Sequence, residues 1–298
     1  MTVTRPDIVE YGPRRRRWVG IVVVAGLLAI PLFGILDGRG DPAPPPPAAA
    51  ATPSRTAGTP PATVNAVFPR ERGDGDTRTI AVTFPDGTRA TVTYPAEMRL
   101  AEFGVRPHIG ATLAVPGESA RFRLLTAPYR GEADVARSGP MIRHLTDDVT
   151  LWPGPPGAPT AGEVLLFAFG RWRLALQDEH NGLNFDQRRT WARSLRGRVT
   201  RDGFLVLSAR SPLRLARPGD VYNGVVAGPQ LWLGGVSGPL IVLTPTPDCA
   251  RRAVMPLAVQ NRPGVSDGAC QGDVHVAVSG EPEFVRQVLE QVRVRTRT

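Results

Sequence analysis

The sequence predicts an α+β domain rich in antiparallel strands, carried by one apolar N-terminal helix through a linker of proline and alanine. Three observations lead there. Trp18 to Leu36, WVGIVVVAGLLAIPLFGIL, holds no charged side chain and follows Arg14, Arg15, Arg16 and Arg17. Asp41 to Thr63 is mostly Pro and Ala, a composition that cannot bury a core. Beyond Val64, short alternating stretches are broken by Gly and Pro, and two longer stretches place apolar residues at helical spacing.

Residues 1–17 make a polar tail too small to fold alone. Residues 18–36, about 19 in helical form, span ~28 Å, close to the hydrocarbon thickness of a bilayer. In lipid the backbone must bond to itself, so this segment is expected as a transmembrane helix. Pro31 removes one donor and predicts a kink; Trp18 suits the inner boundary. The arginine flank keeps the amino terminus cytoplasmic and sends everything after Leu36 outside. The alternative is a cleaved signal peptide, for which Asp37-Gly-Arg-Gly-Asp41 is a poor cleavage site. The arginine run also loosely resembles a twin-arginine export signal, with Pro13 where such signals prefer Ser or Thr. Ala25 and Ala29 have the small-xxx-small spacing of paired membrane helices. The linker, 37–63, favours extended polyproline conformations, and about 22 such residues reach up to ~70 Å.

The extracytoplasmic domain is expected over 64–298. From Arg78 to Tyr94, alternating residues flank Pro85-Asp86-Gly87, which predicts a β-hairpin with one buried face. Its segment TFPDGTRATVTYP resembles segments of actinobacterial single-pass membrane-anchored extracytoplasmic proteins. The resemblance covers under a tenth of the chain, is mostly turn chemistry and implies no activity. Short strands are expected at Thr112 to Val115, Arg121 to Thr126 and Asp148 to Trp152, then a breaker, Pro153 to Pro159, as a candidate subdomain boundary near 153–160. Glu163 to Phe169 and Trp172 to Leu176 read as strands around Gly170-Arg171. Asn184 caps a helix running to Arg196, with Phe185, Trp191, Ala192 and Leu195 on one face and Gly197 as its stop. Gly203 to Ser208, Leu240 to Thr244 and Val274 to Val278 read as strands, and Glu281 to Arg293 as a second covering helix. Trp191-x-x-x-Leu195-Arg196 echoes Val288-x-x-x-Val292-Arg293, as a duplicated strand–strand–helix unit would.

The formal net charge is +9, every basic residue being Arg. Residues 1–17, with five Arg, one Asp and one Glu, hold +3 of it. Such charge solvates a surface or draws it to anionic headgroups and wall polymers. Nucleic acid is not an expected partner: the arginines are scattered, no aromatic-rich strand motif accompanies them, and the compartment is wrong. Cys249 and Cys270, an even pair on the outer side, are expected as a disulfide, with no ligand spacing for a metal.

Catalytic signals are weak. His108, His144, His180 and His275 show no metal spacing; His108 follows Pro107 in an expected loop, and His275 is expected to face solvent from the strand DVHVAV. Asp178-Glu179-His180 is the densest set of acid, base or ligand groups, expected in a solvated turn before Asn181-Gly182. Asp147 and Asp148 point to opposite faces of an extended segment. Gly235-Val236-Ser237-Gly238-Pro239 resembles a serine-nucleophile segment of trypsin-like proteases, but lacks its Asp and one Gly, and Pro239 spoils a G-x-S-x-G elbow. A turn into the next strand is expected. No dinucleotide or phosphate-loop glycine pattern forms, and without Lys a Walker motif is excluded, so no cofactor and no metal are expected. Arg286, Arg293, Arg295 and Arg297 are expected in a partly frayed carboxy terminus. The leading expectation is a non-enzymatic envelope binding module whose partner is a protein, an anionic wall polymer or a small ligand. The alternative is a membrane-anchored hydrolase using Asp178, His180 and Ser237.

Overall fold

The computed structural model describes residues 64–297 apart from Asp74, Pro159 and Asn181. The tail, the apolar segment and the linker lie outside the described residues. Among those described, no helix is long and apolar enough to cross a membrane.

The expected hairpin is present as β2 (Thr77–Thr83) and β3 (Arg89–Pro95), with Ile80 opposite Val92 and Val82 opposite Ala90. Asp86 closes its turn, accepting from the Thr88 amide at 3.0 Å and the Thr88 hydroxyl at 2.8 Å. Ile80, Val82, Phe84, Val92 and Tyr94 are buried, as the alternation requires. β1 (Glu71–Arg72) extends this sheet beside β2, and the last strand, β19 (Arg293–Arg297), extends it beside β3. The carboxy-terminal arginines are therefore not in a frayed end. Val294, buried opposite Val92, anchors a paired strand, and Arg293, Arg295 and Arg297 stand exposed around it.

An eleven-stranded sheet forms the other layer. From one edge it runs β17 (Val265–Gln271), β18 (Val274–Gly280), β16 (Leu240–Pro245), β15 (Gln230–Leu233), β4 (Val105–Leu113), β5 (Arg121–Thr126), β9 (Trp172–Glu179), β8 (Ala161–Phe169), β7 (Val149–Trp152) and β6 (Arg143–Thr146), with β12 (Leu213–Leu215) also against β4. Two small hairpins, β10 (Leu195–Val199) with β11 (Leu205–Ala209) and β13 (Val221–Tyr222) with β14 (Val225–Val226), complete the strands, and every pairing is antiparallel. The breaker at 153–160 joins β7 to β8, which are neighbours in this one sheet.

After the five-residue α1 (Glu132–Ala136), two ten-residue helices, α2 (Phe185–Ser194) and α5 (Pro282–Gln291), cover the core near the expected positions. Asn184 caps α2 through a reciprocal box, its side chain accepting from the Gln187 amide at 2.9 Å while Gln187 accepts from the Asn184 amide at 3.0 Å. Both helices end earlier than expected and turn directly into a strand. Leu195 and Val292 take extended conformation while their amides still bond the carbonyls of Trp191 and Val288, so the sequence echo is also an echo of geometry. Gly197 is not a helix stop. It lies in β10, where a Cβ would come within 2.4 Å of the Phe169 ring. Phe185, expected on the buried face, is 46% exposed, with the guanidinium groups of Arg143 and Arg189 over its ring.

One core joins both sheets and the two helices, from Ile80 and Val92 through Trp191 and Val288 to Leu231, Leu243 and Val276. The opposite face of the large sheet is covered as well. There α4 (Leu257–Gln260) packs Val259 into a second cluster with Leu240, Val242 and Ala277, and α3 (Cys249–Arg252) lies against β17. The Cys249–Cys270 disulfide, with Cα atoms 5.8 Å apart, fixes this cover to β17. His275 lies opposite Cys270 and is thereby buried at 5% exposure, against the expectation that it faces solvent.

Candidate functional site

The site grows from β4. Its alternation sends Val105 and Ile109 into the main core and puts Arg106 and His108 on the other face. His108 is thus in a central strand, not a loop. Pro107 has no amide hydrogen to give, but the Ala127 carbonyl accepts from the Arg106 guanidinium at 3.0 Å instead, while the Ala127 amide donates to the Pro107 carbonyl at 3.2 Å. Register places Trp232 opposite Arg106, and Gln230 and Thr126 opposite His108. Same-face neighbours across strands touch. The Arg106 guanidinium lies 5.7 Å from the Trp232 ring and 5.6 Å from the Tyr129 ring, and Trp232 stacks on His108 at 4.6 Å. His108 Nδ1 is 2.6 Å from Thr126 Oγ1, and Trp232 Nε1 donates to Gln230 Oε1 at 3.0 Å.

Arg106 is 5% exposed, and among the described residues no carboxylate lies within ion-pair distance. It donates to the carbonyls of Ala127 at 3.0 Å and Gly234 at 3.1 Å, and its Nε has no partner. Burial, then the charge of Arg262, pull its pKa down to about 10, so it stays cationic at neutral pH. A buried cation whose direct hydrogen bonds go only to neutral groups, with Asp134 acting on it from beyond ion-pair distance, is costly and calls for an explanation beyond packing.

Tyr129 and Gly234 are also the wall of a cavity of about 520 Å³. Phe103, Val236 and Pro239 supply apolar lining; Glu102, Arg130, Asp134, Arg137 and Ser237 supply polar groups. Both carboxylates are engaged. Asp134 bonds Arg137 at 2.8 Å and the Arg130 amide at 2.9 Å, and Glu102 pairs with Arg99 at 2.7 Å. The exposed Arg130 guanidinium has no carboxylate partner among the described residues. Arg262, whose pKa burial lowers, donates to the carbonyls of Gly235 and Gly238, both at 2.6 Å. Three cations with no carboxylate at ion-pair distance among the described residues thus lie around the loop from Gly234 to Pro239.

The residues suggested by the sequence do not converge. Ser237 is exposed on that loop, and no histidine lines its cavity. Glu179 and His180 line a different cavity of about 690 Å³, with Glu163, Gly182 and Arg188. Asp178, expected in a solvated turn, is the most deeply set of the three, 1% exposed at the end of β9 and bonded to Arg123 and Arg188. No cluster among the described residues has the makings of a metal site. Sequence reasoning missed Arg106 and Arg262 because one arginine among 36 basic residues carries no local mark of lacking a partner.

His108 carries a pH prediction. Burial, then the Arg106 charge, push its pKa down to about 3. Folded chains hold it neutral, whereas unfolded chains protonate it below about 6.5. Its contribution to stability is complete above that value and falls as pH drops toward 3, by up to about 1.4 kcal/mol per unit. Urea unfolding at pH 7.5 and pH 5 is expected to differ by about 2 kcal/mol from this group, with His275 adding in the same direction. His108→Gln should flatten the difference; an unchanged slope would remove His108 as its source.

Comparison with protein-family models, curated proteins and solved structures returns no match for this chain.

Proposed function

We propose that the chain is a membrane-anchored extracytoplasmic binding module of the cell envelope, and that the cavity beside Tyr129 takes an anionic wall polymer. The apolar segment behind four arginines, the proline spacer and a disulfide suited to an oxidising compartment support the location. Arg106, buried behind the cavity with no carboxylate at ion-pair distance among the described residues, carries the functional reading. With Arg130 and Arg262 it sets up a positive potential that this fold does not itself consume. The hydrolase alternative has less support, because no histidine lines the cavity beside Ser237, its two carboxylates are paired with arginines, and Asp178 is bound up in its own network.

The full chain in detergent should co-sediment with isolated wall material, and added salt should weaken the retention. Arg130→Gln should reduce retention several-fold without shifting the unfolding midpoint. Equal retention of this variant, or none by the parent chain, would defeat the cavity as the binding site. Protease added to intact protoplasts should reach residues beyond 64; their protection would refute the orientation.

A further inference from the structure

The loop from Gly234 to Pro239 has its carbonyls and amides sorted. In a trans peptide unit C=O and N–H point in opposite directions. Arg106 holds the Gly234 carbonyl and Arg262 the Gly235 carbonyl, so the Gly235 amide faces away from the Arg106 guanidinium and the Val236 amide away from that of Arg262. The third held carbonyl, of Gly238, precedes Pro239, which has no amide hydrogen. Among the described residues the amides of Gly235, Val236, Ser237 and Gly238 all lack an acceptor. Gly235, Val236 and Ser237 line the cavity.

Each arginine does more than anchor a carbonyl. A cation on the oxygen of a peptide polarises the unit and strengthens its N–H as a donor. Two successive donors of this kind, with the exposed Ser237 hydroxyl on the same turn and Arg130 across the cavity, suit a group with two or more anionic oxygens. We propose that the Gly235–Gly238 turn is an oxyanion cradle that binds the phosphodiester groups of an anionic polymer, with Ser237 as a hydrogen-bond donor and not a nucleophile. This deepens the reading of the cavity as the ligand site and rests on it. Asp134 and Glu102 also face the cavity, and their pairing with Arg137 and Arg99 offsets their repulsion of such a ligand.

Amide NMR of the full labelled chain in detergent micelles tests the cradle. Inorganic phosphate should shift the Gly235 and Val236 resonances, and poly(glycerol phosphate) should shift the same pair at lower concentration. Val236→Pro deletes one donor and should weaken polymer binding at least tenfold; Ser237→Ala should weaken it several-fold. Unmoved Gly235 and Val236 resonances would overturn the proposal, as would a folded Val236→Pro chain that binds as tightly as its parent. If that variant does not fold, the resonances of the unaltered chain decide. Polymer binding with shifts elsewhere would sink the cradle and spare the binding-module reading, whereas failure to bind either wall material or polymer would sink both. Shifts seen only with phosphatidylglycerol vesicles would overturn a polymer as the source of the phosphodiester.

Discussion

Asp178→Ala is expected to lower the unfolding free energy by about 3–5 kcal/mol, the usual consequence of removing one partner from a buried charge network. The side chain is fully enclosed, and both oxygens are occupied. Oδ1 accepts from Arg123 Nε at 2.8 Å and the Glu179 amide at 2.9 Å; Oδ2 accepts from the Leu183 amide at 2.9 Å and from Arg188 at 3.3 Å. Without it, Arg123 keeps only the carbonyl of Phe122 and the exposed Glu179, while Arg188 keeps Glu163. The Leu183 amide loses its acceptor just ahead of the α2 cap, so the start of that helix should loosen with it. Asp178→Asn, which retains the shape, separates lost charge from lost packing. Gly182→Ala should be comparably damaging, since its Cβ would sit 2.3 Å from Asp178 Oδ1. Urea titration of each variant reads the effect, and a loss under about 1 kcal/mol for Asp178→Ala would mean that the network does not hold this end of the sheet.

Replacing both cysteines by serine is expected to cost about 3 kcal/mol, from the entropy of a closed loop of about 22 residues. For a domain of this size that corresponds to a fall of roughly 6–12 °C in Tm. The loss should be local as well as global. Hydrogen exchange should rise first across 249–262, where Val259 and the buried His275 face lose their cover. Arg262 belongs to that segment, so its grip on the Gly235 and Gly238 carbonyls should slacken and ligand binding should weaken in parallel. An unchanged Tm after substitution would show that apolar packing alone seats the cover.

The legible parts of the fold were those whose causes are local. Alternation and a Pro-Asp-Gly turn marked the 77–95 hairpin, Asn184 with Gln187 marked the start of α2, and two cysteines on the expected outer side marked their bridge. What was not legible depends on partners far along the chain. Asp178 looked solvated because Arg123, 55 residues away, is invisible from its neighbours. His275 looked exposed because alternation was read as one buried face, whereas the large sheet is covered on both. Pro107 argued against a strand, yet β15 and β5 enclose it. Of the candidate site, Ser237 and its glycines stood out in the sequence, but as a failed nucleophile motif. The arginines that give the turn its polarity were not distinguishable from surface charge.

The pairing of β19 with β3 has a consequence for how the chain acquires its structure. Arg297 meets Arg89 across about 200 residues, so the four-stranded sheet stays incomplete until Arg293–Arg297 has left the ribosome. Until then the β2–β3 hairpin presents an open edge along β3, the condition under which nascent chains aggregate. Deletion of Arg293–Arg297 should therefore trap the polypeptide short of its native state during biosynthesis, far out of proportion to the contacts removed.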